Sequence, residues 1–510
     1  MLTLTAFTNV PDVTPAAARW LRVAALLLGL SLGGAACVAA QLGAAGHSPG
    51  AVAAAAIAAL AALPALGLVL GPTHWQAPLW NVWHASKNRL QGAPVAIPRE
   101  IAAALMAVGG VAYLILVARL LSISQNPWDD DQGAFLLTAQ EIHDHGGLPW
   151  LWRALWSGEF AEANRHPLYL GLLALCPSVR GGQWLSVLLG VATFVVLVGA
   201  TARRFDRYTA GLFSVLLGTN AAFCLYSTRI VCEILLVLLC GLAWLMHTPS
   251  PRRPDDSVIS PARCSAGGAL LGLAWLTKGT GLVLFVAYGA WLMLTAFRAR
   301  RSIGAMLPPL ACALAAFVIV SLPLLVRNTI RFGNPVHNLN SLLLFADHYD
   351  DLAGMVDRHW TTGQAARAWW VTHSAYDAVR REATGLIWEA YIILRSFGPA
   401  PLDDARLLFG LPLAVFAIGL LVARPTAAGG LLVVWGAASW LMFAWYVPIA
   451  AGERFILPLL GPALILAAAA VVRAFQGRRA PQAALAAGIV WSVFWVVAAW
   501  FSAGFGEGGG

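Results

Sequence analysis

The sequence predicts an all-α protein that crosses a membrane many times, and two observations carry that reading. Of its 510 residues, 59% are hydrophobic and 11% charged, with a mean hydropathy of +0.72, which excludes an ordinary soluble globule. The apolar residues also fall into runs of roughly 17 to 25, the length that spans a bilayer as a helix.

Those runs lie near 22–41, 51–70, 102–121, 184–202, 208–224, 230–247, a tight pair over 266–297 split near Lys278, and then 304–322, 406–423, 429–447, 455–472 and 482–503. They make about thirteen helices. The first run is too long, and too closely followed by the second, for a cleaved signal peptide. Arginine and lysine in short loops fix the orientation, because cytoplasmic loops carry their excess. With the N-terminus inside, Arg19, Arg22, Lys87, Arg89, Arg203, Arg204, Arg207, Arg298, Arg300, Arg301, Arg478 and Arg479 all face the cytoplasm. This holds only if the apolar piece Leu168–Pro177 does not cross, so it is expected to be a surface or re-entrant segment. Three regions follow: an extra N-terminal transmembrane hairpin over 1–100, a core over 101–473 with large outer loops at 122–183 and 326–406, and a C-terminal helix within 474–510.

The net charge of +9 and pI near 9.5 point to topology rather than nucleic acid, since the arginines sit in short clusters between apolar runs. Seven cysteines are scattered without a CxxC pair and say little about redox compartment. No Gly-rich phosphate loop follows a strand, and no 20-to-50-residue repeat is present.

Acid is scarce, so its clustering is informative. Asp129, Asp130 and Asp131 follow directly on an apolar run. After them Phe135, Ala139 and Ile142 recur at helical spacing up to Gly146-Gly147, which describes a short amphipathic helix at a membrane surface with carboxylates at its N-terminus. Three basic residues break the charge rule in short outer loops: Arg229, Lys278 and Arg454. Lys278, one of two lysines in the chain, sits at an apolar turn where an unpaired ammonium is costly. Each cation can pair with a carboxylate such as Glu233 or Glu453, or bind an anionic group such as a lipid phosphate. Glu233 and His166 fall on the same predicted face. The plainer alternatives stay open at this point: a solvated helix cap for the aspartates, an interfacial His166, a snorkelling Lys278, a boundary Arg454, and an i, i+4 pair of Arg229 with Glu233.

In this order, these segments resemble the polytopic GT-C glycosyltransferases that use polyprenyl-phosphate sugars, nearest the branch of aminoarabinose lipid A transferases and protein O-mannosyltransferases. The resemblance runs from about Leu120 to Arg473. It rests on Asp131-Gln132 with Phe135, Ala139 and Ile142; on His166-Pro167-Leu168-Tyr169; on Glu233; on the LTKG of Leu276–Gly279; on Pro323, Arg327, Asn328, Gly333 and Pro335; and on Arg454-Phe455 with Pro458 and Pro462. Gln132 stands where the family often has Glu, and Phe135 replaces its usual Tyr. The resemblance implies a GT-C fold and an inverting transfer of a sugar from a polyprenyl-phosphate donor to a lipid, glycan or protein acceptor at the outer face of a bacterial-type inner membrane. Asp131 is then the general base, with Asp130 as second choice. Lys278, Arg454, Arg229 and Arg327 hold the donor phosphate or sugar, while His166, Tyr169, Glu233 and Asn328 position the acceptor or support the site. No cofactor motif is present, and a divalent cation at the aspartates stays open. The rival from another class is a non-catalytic transporter or flippase of lipid-linked sugars, which should place ionisable groups near the midplane of several spans and show an internal repeat. Within enzymes, transfer of a whole oligosaccharide or a phospho-group is the further possibility.

Overall fold

A computed structural model describes residues 85–92, 97–123, 127–128, 131–249, 259–300, 302–399, 406–475 and 480–501. Two predicted spans, 22–41 and 51–70, therefore lie outside the described residues, as do Asp129 and Asp130. Among the described residues the chain is a helical membrane protein: eight helices are long and apolar enough to cross a bilayer, and the only pairing of β type is an isolated bridge between Asn220 and Pro399.

The elements are α1 (Arg99–Ser122), α2 (Asp131–Asp144), α3 (Gly147–Ser157), α4 (Pro167–Leu173), α5 (Val179–Arg204), α6 (Arg207–Gly218), α7 (Ala221–Tyr226), α8 (Glu233–Leu245), α9 (Pro261–Thr277), α10 (Thr280–Arg298) and α11 (Ile303–Phe332). After two 3₁₀ turns come α12 (Asp351–Asp357), α13 (Thr362–Thr372), α14 (Ala375–Ser396), α15 (Arg406–Ala423), α16 (Ala427–Tyr446), α17 (Leu457–Ala474) and α18 (Ala480–Phe501).

Three runs differ from the expectation, each for a local reason. The run 208–224 is broken into α6 and α7 because the Asn220 side chain accepts a hydrogen bond from Phe223 N at 2.9 Å, starting a new helix. The run 230–247 is helical for 13 residues, since Arg229–Cys232 form an irregular turn. The run 304–322 continues to Phe332 and ends where Gly333 takes φ +67°, a left-handed C-cap suited to glycine. Arg327 and Asn328 consequently sit on the last turns of α11 rather than in the loop beyond it. Leu168–Pro177 is mostly the seven-residue α4.

Helix packing relies on small residues. A Cβ on Gly109 of α1 would run into the Ser214 backbone of α6, one on Gly218 into Gly109 O, one on Gly268 of α9 into Ala313 of α11, and one on Gly385 of α14 into Ala444 of α16. Such close approach is how helices gain van der Waals contact where lipid offers no hydrophobic contrast. Helix α17 is the hub, with 83% of its apolar window buried against 22–44% for the other spans. Side chains such as Val195 and Ile319 instead face outward, 61% and 70% exposed, on surfaces that suit acyl chains. Indole N–H groups inside the bundle are satisfied by backbone of neighbouring helices, Trp244 on Ala428 O at 2.8 Å and Trp435 on Leu284 O at 2.9 Å.

Gly109→Val should lower stability by about 1–3 kcal/mol through overpacking, read as a drop in melting temperature in detergent. Gly199→Val, where an added Cβ meets nothing within 4 Å, should leave it unchanged.

Candidate active site

The site is assembled from stretches far apart in the chain at one end of the bundle. Asp131 is the first residue of α2, where the helix dipole favours a carboxylate. Phe135, Ala139 and Ile142 are its buried stripe, 8%, 0% and 0% exposed. Gln132 pins the same turn by accepting from Ile230 N at 2.9 Å. Arg454 reaches Asp131 from the 3₁₀ turn before α17, its Nη1 donating to Oδ2 at 2.6 Å. That turn is anchored by its neighbours: Glu453 pairs with Arg406 and lies 3.5 Å from Arg395, and Phe455 stacks on Phe443 at 4.7 Å. Glu453 and Arg454, adjacent in sequence, thus face opposite ways, one into the bundle wall and one into the cavity. Burial works against the Arg454 charge, but Asp131, then Glu233 and Tyr226, outweigh it and raise its pKa above the usual arginine range, so it stays cationic.

A second ion pair lies beside the first. Lys278, at the C-terminus of α9, donates to Glu233 Oε1 at 2.7 Å, and Glu233, in the first turn of α8, is 4% exposed. A buried carboxylate of this kind needs a partner. Lys278 therefore makes this pair, and Glu233 is held from α9 rather than by Arg229 four residues before it. The Phe455 ring sits between the two pairs, its centroid 5.0 Å from the Arg454 guanidinium and 5.4 Å from Lys278 Nζ. Both pairs line a cavity of about 340 Å³, together with Arg165 and His166, Asn338 and Asn340, and Tyr349 and Tyr446.

The structure thus brings Asp131, His166, Glu233, Lys278 and Arg454 together. Tyr169 is fully buried beneath them, its hydroxyl 3.2 Å from Ser186 Oγ and its ring edge-on to Phe135. Arg327 is 3% exposed, donates to Glu162 O and lies over the rings of Phe160 and Phe332, so it ties the end of α11 to the first long loop rather than lining the cavity. Asn328 donates to Pro335 O and His337 O at 3.0 and 3.3 Å and shapes the turn after α11. Arg229 flanks the Gln132–Ile230 contact outside the cavity lining.

Arg165 is the residue that sequence reasoning passed over. Its Nη2 lies 4.0 Å from Asp131 Oδ1, and the signal was its place beside His166 in NRHPLY. Glu162 shapes that loop, accepting from Asn164 N at 2.7 Å and Arg165 N at 3.1 Å. Asn338 and Asn340 follow no spacing rule. They arrive because Leu339 N donates to Ala163 O at 3.3 Å, tying the second long loop to the first. Among the described residues no group of three or more His, Cys, Asp or Glu could hold a metal ion.

No family model matches the chain, and no curated protein matches it. Among solved structures it is similar to ArnT from Cupriavidus metallidurans bound to undecaprenyl phosphate, with a TM-score of 0.44, 14% identity, and coverage of 72% of this chain and 59% of that one. It is also similar to the archaeal oligosaccharyltransferase AglB from Archaeoglobus fulgidus in complex with an inhibitory peptide and a dolichol-phosphate, with a TM-score of 0.46, 12% identity, and coverage of 78% and 56%. The chain spans between half and two thirds of the length of either.

His166 is buried, and that burial, reinforced by Arg327 and Lys278, pushes its pKa down to about 4. It is a neutral imidazole at pH 7. Because the unfolded chain takes up the proton near pH 6.5 and the folded one only near pH 4, stability should fall as pH drops through that window, by on the order of 3 kcal/mol if fully expressed. Melting curves at pH 7 and pH 5 should show a steeper loss for wild type than for His166→Asn.

Proposed function

We propose that this chain is a membrane glycosyltransferase that moves a sugar from a polyprenyl-phosphate donor to an acceptor nucleophile, with Asp131 as general base. The observation that carries the reading is one cavity at the ends of several helices, lined by a partly exposed carboxylate, Asp131, and three cations, Arg165, Lys278 and Arg454. Arg165 also pairs with Glu162 at 3.4 Å, so the groups that draw an anionic ligand are the guanidinium of Arg454 and the ammonium of Lys278, both facing the cavity.

The chemistry follows from those groups. The acceptor O–H, or an equivalent nucleophile, attacks the anomeric carbon. Asp131 takes its proton as the new bond forms, and the bond from that carbon to the phosphate oxygen breaks. The lipid phosphate leaves as an anion and needs no strong acid, because cations fixed around it stabilise the charge that develops. A single displacement of this kind inverts the anomeric centre. In the free site Arg454 bonds Asp131; a bound phosphate gives that guanidinium a second, stronger acceptor and leaves the carboxylate available to the acceptor. Neutral His166 and the cavity asparagines supply hydrogen bonds to sugar hydroxyls. Arg327 and Asn328 are positioning residues that hold the loops around the cavity, and Tyr169 supports α2 from beneath. The distribution of arginine and lysine in the short loops supports the reading that this face lies outside a bacterial-type inner membrane.

The test is transfer of labelled sugar from a mixture of polyprenyl-phosphate sugars to membrane acceptors. Asp131→Asn should reduce transfer by at least about a hundredfold while donor affinity stays within a few-fold. Arg454→Gln should instead weaken donor binding by about tenfold or more, the size of one charge-assisted hydrogen bond. Wild-type protein that binds the donor lipid without consuming it would favour the transporter.

A further inference from the structure

The second long loop carries another cavity, of about 400 Å³, whose lining shares no residue with the first. It is bounded by α13, α14 and the end of α16, and its floor is Arg381, whose side chain is 6% exposed. Arg381 Nε donates to Trp445 O at 2.9 Å and Nη1 to Ala346 O at 2.8 Å. Its guanidinium lies against the Trp445 and Trp369 rings, 4.9 and 5.8 Å from their centroids. Nη2 is buried with no hydrogen-bond partner, although it belongs to a group that lines open space.

The acids of this cavity are already committed. Asp347 accepts from Trp369 Nε1 at 3.2 Å and lies 3.2 Å from His373 Nε2 and 3.5 Å from Arg381 Nη1. Asp377 caps α14, accepting from Ser374 N at 3.0 Å and Ser374 Oγ at 2.7 Å. The capacity left over belongs to donors: Arg381 Nη2, the neighbouring Arg380, and the Thr384 hydroxyl. Such a set takes an anion rich in acceptor oxygens, and phosphate matches it.

The surface beside the cavity says where that phosphate comes from. On α14, Tyr376, Val379, Ala383 and Ile387 recur at three- and four-residue spacing on one exposed face, with Tyr376 71% and Val379 67% exposed. Trp370 and Val371 on α13 extend the apolar surface, 53% and 86% exposed. Arg380 lies at the edge of this stripe by helical phase, and with Asp377, Thr384 and Arg381 on the adjoining flank it lines the cavity. An apolar stripe with an arginine at its edge is the pattern of a helix resting in a membrane interface, while the second half of α14 packs along α16, with Gly385 against Ala444 and Trp440 Nε1 donating to Leu386 O at 2.9 Å.

We propose that α13 and the exposed first half of α14, before Gly385, lie on the bilayer surface and that this cavity holds the phosphate of an anionic phospholipid from the leaflet they touch. The site is independent of the donor cavity and of the transferase reading.

The test is native mass spectrometry of the full chain in detergent with dihexanoyl phosphatidylglycerol, and separately with inorganic phosphate. Wild type should retain the lipid, and Arg380→Gln, a change on an exposed face, should weaken it about fivefold. Val379→Glu, which touches the stripe and not the cavity, should weaken the lipid while leaving inorganic phosphate unaffected. Arg381→Gln should abolish both, but because Arg381 also supports two backbone carbonyls, the first two variants decide. Lipid binding unchanged in Arg380→Gln and Val379→Glu would overturn the proposal. So would inorganic phosphate binding as tightly as the lipid, or loss of the lipid in Arg454→Gln alone, which would place it in the donor cavity.

Discussion

Charge at a membrane boundary must find a partner, and in this protein that requirement brings distant parts of the chain together. Asp131 and Arg454 are 323 residues apart in sequence, yet they form one hydrogen-bonded pair at the mouth of the cavity. Lys278 and Glu233, 45 residues apart, form another on the cavity wall. Each pair joins an early element to a later one, and between the pairs sits Phe455 at the head of the most buried of the candidate spans. Glu453 with Arg395 and Arg406 fixes the outward turn that aims Arg454. The cavity is therefore a product of electrostatic pairing laid over helix packing.

Most of the spanning helices were legible in the sequence because bilayer thickness and hydropathy allow few alternatives. Arg99–Ser122, Arg406–Ala423 and Ala427–Tyr446 fall within a few residues of the apolar runs that predict them. What hydropathy does not register is local capping. Asn220 splits a run that stays apolar on average, and α11 continues ten residues past its apolar run until Gly333 caps it. That extension explains why Arg327 reads as a loop residue in sequence and is a buried tie between α11 and the first long loop in the structure.

The candidate site was legible to the extent that its residues broke a rule. Lys278 and Arg454 stood out as cations on the wrong side of the charge pattern, and Asp131 as acid in a chain with little of it. Arg165 obeyed no rule and broke none, since it sits in a long loop where the charge pattern does not apply. Asn338, Asn340, Tyr349 and Tyr446 enter the cavity through tertiary contacts between long loops, which no spacing encodes. Arg229 looked equivalent to Lys278 by its position, but the partner available to both, Glu233, is taken by the lysine.

The central claim is that the cavity positions a lipid phosphate against its cations with the anomeric carbon facing Asp131. Its most direct test is a structure of the full chain with a short polyprenyl-phosphate sugar, determined by cryo-electron microscopy. The phosphate oxygens should lie about 3 Å from Arg454 or Lys278, with the Asp131 carboxylate on the far side of the anomeric carbon from the leaving oxygen. A donor whose phosphate sits outside this cavity, or whose anomeric carbon is turned away from Asp131, would contradict it.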